Sequence, residues 1–134
     1  MKPTELCPCG SGVCYAACCG RLHAGDEIAP TAEALMRSRY SAFVLKLADY
    51  LRATWHVSTR PDELDLAADD TKWLGLEVKR HQQQDATHAC VEFVARYRIA
   101  GRGHRLHELS RFVREDGSWY YVDGDIDPTG SRAA

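Results

Sequence analysis

The sequence predicts an α+β fold in which a small cysteine knuckle precedes helices packed on an antiparallel sheet. Three observations predict it. Five of the six cysteines fall within residues 7–19, an apolar stripe with helical spacing begins after Pro30, and apolar and polar residues alternate with a period of two from Trp73 onward. Helices that come first and consecutive strands that follow them are typical of an α+β domain. We therefore expect the helical stripe to cover one face of the sheet.

The composition is that of one soluble domain with a small appendage. The 134 residues are 45% apolar and 27% charged. No stretch approaches the roughly 20 consecutive apolar residues that cross a bilayer, and residues 1–6 lack the apolar core of a signal peptide. We therefore expect a cytoplasmic protein without membrane attachment. The net charge of −2 argues against nucleic-acid binding by the whole domain, but it is compatible with binding by a local basic patch.

Residues 1–22 form the predicted knuckle, in which a C-x-C pair and a C-C pair are separated by a spacer of eight residues. Clustered thiols in an unexported chain favour a metal site over disulfides, and zinc accepts four thiolates in a tetrahedron. The Gly10–Gly12 turn lets the chain fold back between the two pairs. Cys14 lies inside the spacer and would open this turn. The ligands that we predict for one structural zinc per chain are the two pairs, Cys7, Cys9, Cys18 and Cys19.

Two alternatives to a zinc site are a set of reduced thiols without metal and a group of thiols that exchanges disulfides. Residues 23–30 form the predicted linker after the knuckle, and its His23 is an alternative fourth ligand. Because four cysteines already close the tetrahedron, we expect His23 to be an exposed linker residue. A closed site has no open position for a substrate, which makes the metal structural rather than catalytic.

Residues 31–127 form the predicted α+β domain, and residues 128–134 form a predicted disordered tail. Thr31 is the expected N-cap of an amphipathic helix whose apolar stripe extends to Leu47. Asp49 is the expected cap of a second, shorter helix. The four strands predicted after these helices lie at residues 73–78, 89–99, 104–114 and 119–123.

The strand registers decide which polar side chains face the helix. With a four-residue turn between the second and third strands, Ile99 faces His104. With a two-residue turn between the third and fourth strands, Ser110 faces Asp123, and both lie beside Glu108 among aromatic side chains. A one-residue bulge would reverse the faces, and the sequence leaves both registers open. The titratable pocket candidates are Glu108 and Asp123 in the first register and His107 and Arg111 in the second.

The segment Cys7–Gly20 resembles the SEC-C motif, the zinc-binding tail of the SecA preprotein translocase, in which the ligands match Cys7, Cys9, Cys18 and Cys19. The rest of the chain is similar to the YchJ family over residues 31–43, 54–56, 73–76 and 106–112. This resemblance implies a SEC-C knuckle followed by a domain similar to nuclear transport factor 2, in which a curved antiparallel sheet and its helices form a cone around a pocket. The partners that the motif implies are the ribosome, a chaperone and the translocation machinery.

These observations support three hypotheses about the function. The first is a non-enzymatic accessory protein, whose knuckle binds a protein partner or the ribosome and whose sheet domain binds a partner or a small ligand. The alternative is a small pocket enzyme of the isomerase, dehydratase or hydrolase type that uses Glu108, Asp123 or His107, although the chain carries no recognisable catalytic motif. An open sheet face also allows a homodimer. A third hypothesis, RNA or ribosome binding, rests on the arginines of the predicted sheet, Arg96, Arg98, Arg102, Arg105 and Arg111.

Overall fold

The fold combines short helices with a four-stranded sheet, which confirms the α+β class. The structure, a computed structural model, describes residues 4–66 and 69–126, so the tail predicted at 128–134 lies outside the described residues. The sheet is antiparallel, with its strands in chain order, and no helix in the described ranges is long and apolar enough to cross a membrane. The elements are a turn of 3-10 helix (Tyr15–Ala17), α1 (Cys19–His23), α2 (Ala32–Leu45), α3 (Ala48–Ala53), β1 (Lys72–Gln83), β2 (His88–Ile99), β3 (Arg102–Glu115) and β4 (Ser118–Ile126).

Helix α2 is the long amphipathic helix that the sequence predicts. The Thr31 hydroxyl oxygen accepts a hydrogen bond from the backbone N–H of Ala34 at 3.1 Å, which confirms the N-cap. The helix ends at Leu45, two residues earlier than expected, because Lys46 adopts the left-handed conformation with a φ of 60°. The large side chains that α2 buries in the core are Leu35, Met36 and Tyr40.

Helix α3 begins at Ala48 with Leu47 in the N-cap position, so the cap predicted at Asp49 is wrong. Asp49 lies instead in the first turn, where a carboxylate interacts favourably with the free N–H groups of the helix start. The helix packs near the end of α2 in a small apolar cluster of its own. The buried members of that cluster are Ala42, Leu51 and Leu66.

A two-residue turn joins β2 to β3, in place of the expected four residues. Ile99 pairs with Arg102, so the expected pairing of Ile99 with His104 is wrong. The shift of two residues continues along the strands and places Phe93 opposite Glu108. Because side chains alternate with a period of two, an even shift leaves every residue on the face that the sequence predicts.

A bulge near the end of β4 changes the pairing between β3 and β4. Phe112 pairs with Tyr121 as predicted, but the next pair is Arg111 with Asp123, so Val122 is an extra residue. Beyond the bulge Ser110 pairs with Gly124. The predicted pairing of Ser110 with Asp123 is therefore wrong, and the faces of β4 are reversed beyond Val122 whereas those of β3 are not.

The knuckle and the sheet domain share one apolar core. Three knuckle cysteines, Cys7, Cys9 and Cys19, are at most 4% exposed. They belong to the same buried cluster as the helix and sheet residues Leu35, Met36, Tyr40, Val91, Phe93, Phe112 and Trp119. The knuckle therefore packs against the domain, and its cysteines lie beside the core.

Candidate metal centre and ligand cavity

Four cysteine sulfurs of the knuckle converge on a single point. Their Sγ atoms all lie within 4.8 Å of one another, and those of Cys9 and Cys18 are 3.7 Å apart. Zn–S bonds of ~2.3 Å in a tetrahedron separate the sulfurs by about 3.8 Å, so this arrangement fits a zinc ion. Cys14 is outside the cluster and pairs with Leu6 in a β-bridge. The converging residues are the four that the sequence predicts as ligands, Cys7, Cys9, Cys18 and Cys19.

The fold of the knuckle brings the two cysteine pairs together. The backbone N–H of Cys7 donates to the Val13 carbonyl at 2.9 Å, which closes the loop between the pairs. Within that loop Gly10 and Gly12 have φ values of 80° and 83°, a conformation that glycine adopts without steric cost. The glycines that follow the C-x-C pair therefore determine that the second pair returns to the first.

Helix α2 supplies polar groups to the cluster. The Ser41 hydroxyl lies 3.4 Å from the Cys7 sulfur, and Nη1 of Arg37 donates to the Cys9 carbonyl at 2.9 Å. Hydrogen bonds around a metal site orient its ligands and offset the negative charge of the thiolates. The cluster thus depends on α2 as well as on the knuckle.

The electrostatics of the cluster favour one anionic sulfur among protonated neighbours. Hydrogen bonds with the side chains of Cys19 and Cys9 lower the pKa of the Cys7 thiol below its ordinary value. The hydrogen bond with Cys7 raises the pKa of Cys19. One sulfur is thus stabilised as a thiolate by neighbours that keep their protons. A bound Zn²⁺ would supply the positive charge that allows all four thiols to ionise.

His23 connects the knuckle to α2 and is not available as a metal ligand. Its Nε2 lies 2.8 Å from the Ser38 carbonyl oxygen, which can only accept, so Nε2 carries the proton. Its Nδ1 accepts a hydrogen bond from the Tyr15 hydroxyl at 2.6 Å. Burial lowers the pKa of His23, so the ring is neutral at pH 7. The expectation of an exposed linker histidine is wrong, because the ring packs between Tyr15 and Tyr50.

A cavity of about 170 Å³ lies between α2 and the inner face of the sheet. Most of the side chains that line it are apolar, and three polar side chains, Arg39, Glu108 and Ser110, interrupt this lining. The aromatic side chains in the wall include Phe43, Trp55, Trp73, Phe93 and Phe112. The cavity is therefore an apolar pocket with a few convergent polar groups, the usual character of a small-molecule site.

Arg39 is a buried cation in the wall of this cavity, with 5% of its surface exposed. Its Nη1 donates to the Leu51 carbonyl at 2.8 Å and to the Thr54 hydroxyl at 2.7 Å. The guanidinium also lies over the rings of Trp55 and Tyr121, at 5.1 and 4.7 Å from their centroids. No described residue accepts a hydrogen bond from Nε or Nη2. Burial lowers the pKa of Arg39 to about 10, so the group stays charged at pH 7.

Glu108 is the acidic group of the cavity. Its Oε2 accepts hydrogen bonds from the Ser110 hydroxyl at 2.7 Å and from the Tyr121 hydroxyl at 3.3 Å. Burial, and then the charge of Glu108, raise the pKa of Tyr121, so its phenol keeps the proton that it donates. Gly124 lies against the Glu108 carboxylate and leaves no room for a Cβ atom. The fold thus fixes the carboxylate from three sides.

The other three pocket candidates lie outside the cavity. His107 lies on the outer face of the sheet, where its Nε2 is 2.7 Å from a Glu92 carboxylate oxygen. Arg111 donates to Asp123 at 2.6 Å and to Asp125 at 2.8 Å on the same face. The bulge at Val122 is the reason that Asp123 does not face the cavity. The expectations that Asp123, or His107 and Arg111, face the pocket are therefore wrong, whereas Glu108 does line it.

Arg39 is not among the candidates predicted from the sequence, although the sequence contains a signal for it. Arg39 follows Leu35 by four residues and precedes Phe43 by four, so it lies within the apolar stripe of α2. A charged residue at such a position is buried with the stripe and needs partners in the interior. This periodic position, rather than any motif, indicates the cation of the cavity.

Comparisons with known proteins agree with this architecture. Residues 31–124 match the family model described as the YchJ middle, NTF2-like domain, and residues 4–21 match the SEC-C motif. A UPF0225 protein of Ralstonia nicotianae is 60% identical over 92% of this chain and 93% of its own length. The solution structure of a SEC-C motif containing protein from Rhodopseudomonas palustris is similar, with 38% identity and a TM-score of 0.80 over 89% of this chain and 96% of that one. A crystal structure of a SEC-C motif containing protein from Psychrobacter arcticus gives 35% identity and a TM-score of 0.79, over 93% of this chain and 84% of that one.

Proposed function

The chain belongs to the YchJ family, also called UPF0225, and from that premise we propose a zinc-containing, non-catalytic protein whose cavity binds a small aromatic molecule. The observation that carries the proposal is the buried Arg39 guanidinium, which borders an apolar cavity with two nitrogens unused by the described residues. Neither nitrogen is fully buried, so both can be reached from the cavity that Arg39 lines, where a hydrogen bond to a charged group is stronger than in bulk water. A ligand acceptor in the cavity would satisfy them.

The size and the lining of the cavity indicate the class of ligand. An apolar cavity of about 150 Å³ holds benzene, so the 170 Å³ here suit a molecule with one ring. Aromatic walls favour an aromatic ring through offset or edge-to-face packing. Arg39 offers donors and Glu108 offers an acceptor. The ligand that fits is a single aromatic ring with an amide-like group. Its carbonyl oxygen would accept a hydrogen bond from Arg39, and its N–H would donate one to Glu108.

Tryptophan fluorescence tests this proposal because Trp55 and Trp73 line the cavity. The full zinc-loaded chain is titrated with benzamide, with benzoate, which lacks the donor, and with toluene, which lacks both polar groups. We expect benzamide to bind more tightly than benzoate or toluene. Equal affinities for benzamide and toluene would contradict a role for Arg39 and Glu108.

A variant that fills the cavity separates specific binding from binding elsewhere. Ala95 lines the cavity and is 1% exposed, so Ala95→Leu should abolish benzamide binding. Ala24→Leu is the matched control because Ala24 is exposed beside the knuckle. Circular dichroism verifies that both variants fold. Unchanged binding by a folded Ala95→Leu protein would exclude the cavity.

Binding of a protein partner by the knuckle is part of the proposal. Leu6 and Val13 support it, because they are 67% and 43% exposed on the knuckle surface. The partners implied by the SEC-C resemblance are the ribosome, a chaperone or the translocation machinery, and a cytoplasmic location would keep the cysteines reduced. Capture from lysate with wild type and with Leu6→Glu/Val13→Glu tests this. Loss of a partner protein with these substitutions supports partner binding by the knuckle. Capture of the same proteins by wild type and variant contradicts it.

A pocket enzyme is the second candidate, and Glu108 is the observation that favours it. A carboxylate in an apolar cavity beside a cation and two hydroxyl groups has the surroundings of a general base. Glu108→Gln distinguishes the two candidates. A binding protein would keep affinity for benzamide, since the amide oxygen still accepts, whereas an enzyme would lose turnover of any substrate found for the wild type.

A further inference from the structure

The end of the β2–β3 hairpin carries a group of cations that the proposed function does not use. Arg96 pairs with Arg105 across β2 and β3, and Lys72 pairs with Arg98 across β1 and β2. Cross-strand partners share a face, and these residues lie opposite to Ala95, whose side chain lines the cavity. We define the hairpin patch as these four exposed residues, that is Lys72, Arg96, Arg98 and Arg105.

Most cations of the patch lack the carboxylate partners that other cations of the outer face have. Arg111 lies 2.6 Å from Asp123, and Lys79 lies 3.2 Å from Glu77. Among the described residues, Arg96 is the one patch cation with an ion pair, at 3.9 Å from the same Glu77. The positive charge of the patch is therefore largely uncompensated, whereas Arg111 is neutralised by its acidic neighbours.

The arrangement of the patch is unfavourable in the isolated protein. Like charges directly opposite each other on neighbouring strands destabilise a sheet, and the patch contains two such pairs. Gly75 and Gly103 flank the paired cations on the neighbouring strands, and no atom lies within 4 Å of the place that a Cβ would take at either position. The surface beside the cations is therefore open, and a polyanion that lies on it would replace repulsion by attraction.

We propose that the hairpin patch binds the phosphodiester backbone of a nucleic acid. The backbones of paired cations on neighbouring strands are about 5 Å apart. Cations at positions i and i+2 of one strand are separated by about 7 Å. A duplex carries one negative charge per ~1.7 Å of its axis, so the patch spans several phosphates. Three of the four cations are guanidinium groups, which bind phosphate through two parallel hydrogen bonds. The net charge of −2 does not oppose this binding, because the cations are concentrated at one end of the sheet.

Fluorescence anisotropy of labelled duplexes tests the proposal. The zinc-loaded full chain is titrated into a 20-base-pair RNA duplex and a DNA duplex of the same sequence, at several KCl concentrations between about 50 and 200 mM. We expect the logarithm of the DNA affinity to fall against the logarithm of the salt concentration with a slope of about −3.6, which corresponds to about four phosphates. The duplex that binds more tightly identifies the nucleic acid, and binding to neither at 50 mM would overturn the proposal.

Two charge reversals on one strand distinguish the patch from a net-charge effect. Arg105→Glu should weaken binding about 10-fold at 50 mM KCl, because it reverses a central cation of the patch. Arg114→Glu is the matched control, because it changes the net charge by the same amount at an exposed arginine of β3 that lies about 30 Å from Arg105. It should weaken binding at most twofold. Equal losses in the two variants would overturn the proposal, as would equal competition by poly-glutamate. Benzamide binding by Arg105→Glu should be unchanged, so the two proposals fail separately.

Discussion

At the scale of single residues, Gly124 is required by its neighbour rather than by its own conformation. A Cβ atom at this position would collide with the Glu108 carboxylate and lie 3.0 Å from the Leu109 carbonyl oxygen. We expect Gly124→Ala to lower the free energy of unfolding by about 1–3 kcal/mol, the usual cost of overpacking. Unfolding in urea, followed by circular dichroism, measures this loss.

Gly103→Ala is the matched control for that prediction. Gly103 is also a strand glycine, and a Cβ atom at this position would meet nothing within 4 Å. Its replacement should leave the free energy of unfolding unchanged or raise it slightly, because alanine loses less backbone entropy than glycine on folding. Equal losses in the two variants would mean that the approach of Glu108 does not decide the cost at Gly124.

His23 should make stability depend on pH. Burial lowers the pKa of His23 in the folded chain, so the unfolded chain takes up the proton first as the pH falls below about 6.5. The stabilisation from the neutral ring is complete above that pH and decreases below it. We therefore expect the difference in unfolding free energy between wild type and His23→Gln to shrink from about pH 7.5 to pH 5.5.

Urea unfolding of both zinc-loaded proteins at the two pH values measures the difference. Protonation of the cysteine cluster affects wild type and variant alike, so it cancels. A difference that does not change with pH would show that burial does not hold the His23 ring neutral.

At the scale of elements, the knuckle should bind one zinc through four of its five cysteines. Cys9 is fully buried in the cluster, so Cys9→Ser removes a ligand that no other group can replace. We expect elemental analysis to find about one zinc per chain in wild type and a small fraction of that in Cys9→Ser. Cys14→Ser is the control and should keep its zinc, and loss of zinc from both variants would contradict the assignment of the ligands.

The elements that the sequence predicts correctly are those with strong local signals. The cap at Thr31 and the turn at Asp116–Gly117 are determined by residues that interact within a few positions of the chain. The structure confirms both. The bulge at Val122 has no such signal, because its position depends on how β4 pairs with β3. A single extra residue there moves Asp123 to the outer face, which the composition of β4 does not indicate.

The same distinction applies to the candidate sites. The cysteine spacing predicts a cluster because its ligands are local, and the structure brings the four predicted sulfurs together. The cavity depends on contacts between α2 and β3, so the sequence finds Glu108 through its strand parity but misses Arg39 on the helix. Only the tertiary structure places these two charged groups in the wall of one cavity.

At the scale of the whole molecule, the shared core should couple the metal to the sheet. The buried cysteines of the knuckle pack in one cluster with Val91 and Phe93 of β2. Removal of zinc by a chelator should therefore lower the melting temperature of the sheet, and added zinc should restore it. Thermal unfolding followed by tryptophan fluorescence, to which Trp119 of the same core contributes, measures this shift. A melting temperature unaffected by the chelator would show that the knuckle folds separately.

The central claim is that the cavity between α2 and the sheet is a ligand site. The most direct test is a nuclear Overhauser measurement between unlabelled benzamide and the isotopically labelled, zinc-loaded chain. We expect contacts from the benzamide ring to the side chains of Phe93 and Phe112, which line the cavity. Contacts confined to exposed residues, or none at saturating benzamide, would contradict it.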